Sequence, residues 1–119
     1  MVSEVSEYLV IRDESFRLEV NESENISFKL PGDAKINEHS VLFYMCMPIK
    51  KTVDVDYKIE INGRNADSGN MTWGTARTIR EAVQGNILKP GENKIKFEVP
   101  EGTGNITFSD VVLLFKREV

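Results

Sequence analysis

Leu88-Lys89-Pro90-Gly91-Glu92-Asn93-Lys94-Ile95-Lys96-Phe97-Glu98-Val99 decides the kind of domain this chain forms. Pro90 presets φ for the second position of a tight turn, and Gly91 tolerates positive φ at the third. Beyond the turn Ile95, Phe97 and Val99 alternate with Lys94, Lys96 and Glu98, the period of a strand with one dry face. Working outward, the same period recurs. Val53, Val55, Tyr57, Ile59 and Ile61 alternate with Asp54, Asp56, Lys58 and Glu60, and Asn62-Gly63 supplies a turn suited to positive φ. Phe16 to Val20 and Ile26 to Leu30 also alternate. With Asn21-Glu22-Ser23-Glu24 between them, they are expected to form a hairpin.

Other stretches read less simply. Val41-Leu42-Phe43-Tyr44-Met45-Cys46-Met47 is apolar throughout and predicts a strand covered on both faces. Residues 70–79 are expected as a strand, followed by a turn or irregular stretch to Leu88. The last strand is expected from Asn105 to Lys116, and residues 1–15 form a separate N-terminal segment, either a docked strand or a tail. No αβ alternation and no internal repeat is present. Seven to nine short strands separated by turn signals predict an all-β antiparallel sandwich over residues 16–119.

Bulk composition narrows the function classes. The 119 residues suit one domain with one core, and 40% hydrophobic with 29% charged residues is ordinary for a globular chain. Net charge is −4, and the longest basic run is Lys50-Lys51, so nucleic acid and anionic membrane are not expected partners. Cys46 is the single cysteine, expected to be a buried, inert thiol. The stretch Met1 to Glu7 is polar and acidic, with neither a basic nor an apolar signal region, so the chain as it stands is expected in the cytoplasm. Asn21, Asn25, Asn70 and Asn105 each begin an Asn-x-Ser/Thr triplet, which in a cytoplasmic chain arises from polar strand and turn composition.

One combination goes beyond composition. A strand ending in Asn62-Gly63 is followed by a polar loop containing Trp73, an apolar stretch to Leu88, and then Pro90-Gly91-Glu92-Asn93 before the next strand. Over roughly residues 40–116 this resembles the galactose-binding-domain-like jelly roll. It is similar to the sugar-binding domain of family 2 glycoside hydrolases and to related carbohydrate-binding modules, with Ile106 to Phe115 as the closing strand. The resemblance implies a non-catalytic binding module, with carbohydrate as the ligand class.

The chemistry a sugar site needs is an aromatic platform beside amides and guanidinium groups. Trp73 is the candidate platform, with Asn65, Asp67, Asn70, Arg77 and Arg80 as hydrogen-bonding partners. The competing reading is that Trp73 plugs the core. The resemblance also implies a structural calcium near the terminal strands, for which Asp110 with Glu19 or Glu14 are the candidate ligands. Against that stands a bulge at Ser109-Asp110, the preferred reading, which would turn Val111, Leu113 and Phe115 inward. His39, the single histidine, is expected at the surface, and no cluster or nucleophile pairing suggests catalysis.

The two apolar strands carry the rival reading, a structural or assembly protein. Something should cover Leu42, Tyr44 and Cys46, or Val112 and Leu114. A second subunit is one candidate, so a homodimer is an alternative expectation.

Overall fold

The computed structural model describes residues 4–36, 38, 40–48, 52–73, 76–102 and 104–118, and the side chains of all of these but 52, 53, 72, 73 and 85. Among these residues are nine strands: β1 (Glu4–Arg12), β2 (Phe16–Leu18), β3 (Ser23–Leu30), β4 (Ser40–Pro48), β5 (Thr52–Ile61), β6 (Arg64–Trp73), β7 (Arg77–Val83), β8 (Gly91–Gly102) and β9 (Ile106–Glu118). A single 3-10 turn, Gly85–Ile87, precedes β8. The strands form two antiparallel sheets. One has the order β1-β9-β4-β7, with β2 also on β9; the other has the order β3-β8-β5-β6. This is the expected all-β sandwich.

Alternation places the core as the sequence predicts. Ile95, Phe97 and Val99 of β8 and Val55, Ile59 and Ile61 of β5 are fully enclosed, and face Leu42, Tyr44, Ile106, Phe108 and Leu113 of the other sheet. At the centre five rings, Phe16, Tyr44, Tyr57, Phe97 and Phe108, pack mostly edge-on, the Phe97 and Phe108 centroids 4.9 Å apart. Such contacts add to the stabilisation from buried area alone.

Three expectations are corrected. Phe16–Leu18 and Ser23–Leu30 do not form a hairpin: β2 pairs with β9 and β3 with β8, in opposite sheets. The turn between them, with Asn21 at φ 71° and Asn21 N–H bonded to the Val99 carbonyl, carries the chain across the sandwich edge. Residues 64–73 are not a loop but strand β6, paired along β5 through the Asn62-Gly63 turn. Nor do residues 70–79 form one strand. The chain leaves one sheet at Trp73, re-enters the other at Arg77, and stays extended to Val83.

The bulge on β9 is present. Asp110 has φ 52° and is exposed, the register slips there against β4, and Val111, Leu113 and Phe115 point inward; against β1 the slip comes one step on, where β1 carries the extra residue Ile11. Parity in β4 also resolves. Leu42, Tyr44 and Cys46 are core residues covered by the opposite sheet, so they need no outside partner. The outward set is Val41, Phe43, Met45 and Met47.

Candidate functional site

The two sheets present opposite chemistry to the outside. On the β3-β8-β5-β6 sheet the outward positions are polar in every row. Ser68, Lys58, Glu98 and Ser23 make one row across the four strands, and Asn65, Glu60, Lys96 and Asn25 the next. Lys96 and Glu98 pair at 3.2 Å. At the β6 edge this face sinks into an open hollow of about 640 Å³, lined by Asp56, Lys58, Asn65, Ser68, Asn70 and Pro100, with Tyr57 and Gly69 beneath. Gly69 faces the core: a Cβ there would stand 2.6 Å from the Tyr57 hydroxyl, so the tyrosine ring packs directly under the β6 backbone.

Asn70 is held firmly in this hollow. Its Nδ2 donates to Asp54 Oδ1 and Asp56 Oδ1, both at 2.6 Å. Two carboxylates accepting from one amide fix the amide plane, because both donor positions of an amide nitrogen are used. The Asn70 carbonyl oxygen is the group left to accept from a ligand hydroxyl, beside the Lys58 ammonium and the Asn65 and Ser68 side chains.

The sequence-predicted sugar residues divide into three groups. Asn65 and Asn70 line the hollow together. Asp67 faces inward, where Tyr44 Oη donates to Asp67 Oδ2 at 2.5 Å and meets the Tyr57 hydroxyl at 2.8 Å. Arg77 stands opposite Cys46 and contacts the Met71 sulfur at 3.9 Å, while Arg80 stands opposite Phe43 on the outer face of the other sheet. Arg80 therefore does not share a site with Asn70, a placement the sequence misses because β6 and β7 belong to different sheets. Trp73 ends β6, but its side chain, like His39, lies outside the described residues. Lys58 and Ser68 were not singled out from the sequence; cross-strand pairing with β6 brings them in.

Two of the candidate calcium ligands, Glu19 and Asp110, do not meet. Leu18 stands opposite Ile106, and Asp110 lies roughly 13 Å further along β9 from that point, so Glu19 and Asp110 are set apart. Asp110 instead accepts from its neighbour Ser109 Oγ at 3.2 Å. Among the described residues no group of three or more His, Cys, Asp or Glu could hold a metal, so these residues do not fit a calcium ion needing six to eight oxygens.

Cys46 is buried, with Sγ 3.9 Å from the Met71 sulfur. Burial pushes its thiol up to about 11, the Tyr57 hydrogen bond pulling the other way. A protonated, enclosed thiol is a poor nucleophile.

No protein-family model matches the chain, and no characterised protein matches it in sequence. Solved structures do match in shape. Dimeric latent PorU from Porphyromonas gingivalis superimposes with a TM-score of 0.69 at 10% identity, covering 98% of this chain and 13% of that one. A β-porphyranase of glycoside hydrolase family 86 from Bacteroides plebeius gives 0.67 at 14% identity, covering 99% of this chain and 21% of the enzyme. A family 36 carbohydrate-binding module in complex with calcium and xylotriose gives 0.57 at 13% identity, covering 92% and 97%. The chain thus spans under a quarter of the length of the first two. Its fold is the antiparallel β-sandwich that these structures share, a carbohydrate-binding module among them.

Proposed function

We propose that this chain is a non-catalytic carbohydrate-binding module whose ligand lies in the hollow over β5 and β6. The observation that carries the reading is the Asn70 amide, clamped by Asp54 and Asp56 at an open depression rimmed by polar side chains. Sugar hydroxyls need fixed donors and acceptors at a surface wide enough for a ring. Asn70, Asn65, Ser68 and Lys58 supply both. The likeness to a module solved with xylotriose supports the same ligand class.

The arrangement favours binding over hydrolysis. A glycosidase needs two carboxylates flanking the scissile bond, with the sugar between them. Asp54 and Asp56 stand on one side of one strand, and the Asn70 amide occupies the space between them.

Amide chemical shifts recorded during titration with a glycan panel test the reading. Xylotriose and neoagarooctaose, bound by proteins of similar fold, belong in that panel. A binding sugar should move the β5 and β6 amides saturably, and Asn70→Ala should weaken it about tenfold, the loss of one good hydrogen bond. No saturable shift across the panel, or shifts confined to other strands, would overturn the proposal.

A further inference from the structure

The outer face of the β1-β9-β4-β7 sheet breaks the rule its partner sheet obeys. An antiparallel sheet with one face on the core ordinarily alternates apolar and polar residues. Here a central set of the outward positions is apolar too. Tyr8, Leu114, Val41 and Ala82 form one row across all four strands, and Val10, Val112 and Phe43 form most of the next, ended by Arg80. Tyr8 is 71% exposed, Val10 49% and Met47 44%. Beyond the second row the apolar surface continues over Met45 and Met47 into a hollow of about 260 Å³. Methionine there supplies an adaptable contact surface.

We propose that this face is an interface between two copies of the chain, packed sheet on sheet. Size and layout favour a second copy. The four strands offer roughly 600 Å² of sheet in plan, and their side chains add relief, which brings the face near the roughly 800 Å² per partner of a standard interface. About half of its outward positions are apolar and form a central stripe, and paired charge gathers at one end. There Lys35 pairs with Glu4, Glu38 and Glu118, and Lys116 with Glu38. An apolar centre with a polar margin is the anatomy of a stable interface. Because the charges at that end are already paired within one chain, a second copy brings no large single-sign repulsion there. A two-fold interface uses the same patch on both partners, and two such faces can pack about 10 Å apart as the sheets of a sandwich do. The polar face, with the Asn70 hollow, stays open on both copies, so this proposal and the carbohydrate reading are independent.

Sedimentation velocity decides it. The intact chain should run at twice its 13.5 kDa at concentrations well above micromolar. Tyr8→Lys combined with Val10→Lys places two charges on the stripe at exposed positions and should give a monomer with unchanged far-ultraviolet circular dichroism. A wild-type monomer, or a dimer that survives the double substitution, overturns the proposal. Should the variant fail to fold, dilution of the wild type answers the same question. Methyl signals of Val10, Val41, Val112 and Leu114 should shift on dilution while those of Ile59 and Ile95 stay fixed, and uniform silence at all six overturns it.

Discussion

The Asn62 side-chain amide donates to Asn93 Oδ1 at 2.8 Å, tying the turn after β5 to the turn before β8. Each asparagine serves further backbone groups. Asn62 Nδ2 also donates to the Ile87 carbonyl, and Asn62 Oδ1 accepts from Lys94 N–H. Asn93 Nδ2 donates to the Lys89 and Gly91 carbonyls, and Asn93 Oδ1 accepts from Lys89 N–H. Two side chains thus satisfy backbone groups that the reversing chain would otherwise leave unpaired.

Asn93 is almost wholly enclosed, at 1% exposure. Asn93→Ala would strand the Asn62 amide and several backbone groups away from water, and should cost about 2–3 kcal/mol. Asn62→Ala should cost a similar amount and also strain the backbone, since position 62 has φ 52°, which asparagine tolerates better than alanine. The two losses should add to clearly more than the loss in the double variant, because they share one network. Denaturant unfolding of the four proteins measures this, and strict additivity would refute the shared network.

A second polar bridge joins the sheets at their centre. Tyr44 of β4 donates to Asp67 of the edge strand β6 and meets the Tyr57 hydroxyl. Tyr44→Phe should lose about 1.5–2 kcal/mol, the value of a hydrogen bond to a charged acceptor. Tyr44→Lys, at a fully enclosed position, should fail to fold, whereas Phe43→Lys, one residue along and facing outward, should fold. Thermal melts distinguish these outcomes, and equal losses for the neighbouring lysine variants would contradict the parity of β4.

The same cluster makes the protein sensitive to alkali. Burial raises the Tyr57 hydroxyl from 10.0 to about 12 and the Cys46 thiol from 9.0 to about 11, and drives Tyr44 higher still. Each group is neutral in the folded protein and ionises more readily when unfolded. Their contribution to stability is therefore complete below pH 9 and lost progressively as pH rises from there to about 12. The denaturant midpoint should fall across that window, and Cys46→Ala should delay the onset toward pH 10, the unperturbed tyrosine value. A midpoint flat to pH 12 would exclude this account.

How much of this was legible beforehand depends on what alternation can encode. β5 and β8 bury one face each and expose the other, so their period of two is plain in the residues. Asn62-Gly63 and Pro90-Gly91-Glu92-Asn93 were legible as turns because their backbone conformations demand those residue types. The bulge at Asp110 was legible as a phase conflict. By contrast β6 hid itself. Its inward positions are Asp67, Gly69 and Met71. Tyr44 reaches across to Asp67, and Tyr57 occupies the space over Gly69, so tyrosines from other strands fill what apolar side chains would normally fill. The stretch therefore reads as a polar loop. In β4 both faces are apolar, so its pattern could not say which was inside. The pairing of β2 with β9, and of β3 with β8, depends on contacts distant in sequence, to which a turn between them is silent. The same limit scattered the candidate site: Asn70 and Arg80 are close in sequence, yet the crossing between sheets after Trp73 puts them on opposite faces.

Asn70 offers the sharpest test of the site's electrostatics. Asn70→Asp would replace the amide donor between Asp54 and Asp56 with a third carboxylate. Like charges at hydrogen-bond range disfavour ionisation, so the introduced carboxyl should ionise less readily in the folded protein than in the unfolded chain. A raised carboxyl pKa contributes stability that is complete below the unfolded value near 4 and lost as pH rises through the folded value. The variant should therefore match the wild type at about pH 4 and fall behind it at neutral pH, by about 1 kcal/mol or less because the groups are solvated. Asn70→Ala, which removes the donor without adding charge, should show no such pH dependence relative to wild type near neutrality. Added salt should narrow the deficit of Asn70→Asp by screening and leave Asn70→Ala unmoved. Parallel behaviour of the two variants across pH and salt would mean that the carboxylates of Asp54 and Asp56 do not converge on this side chain in solution.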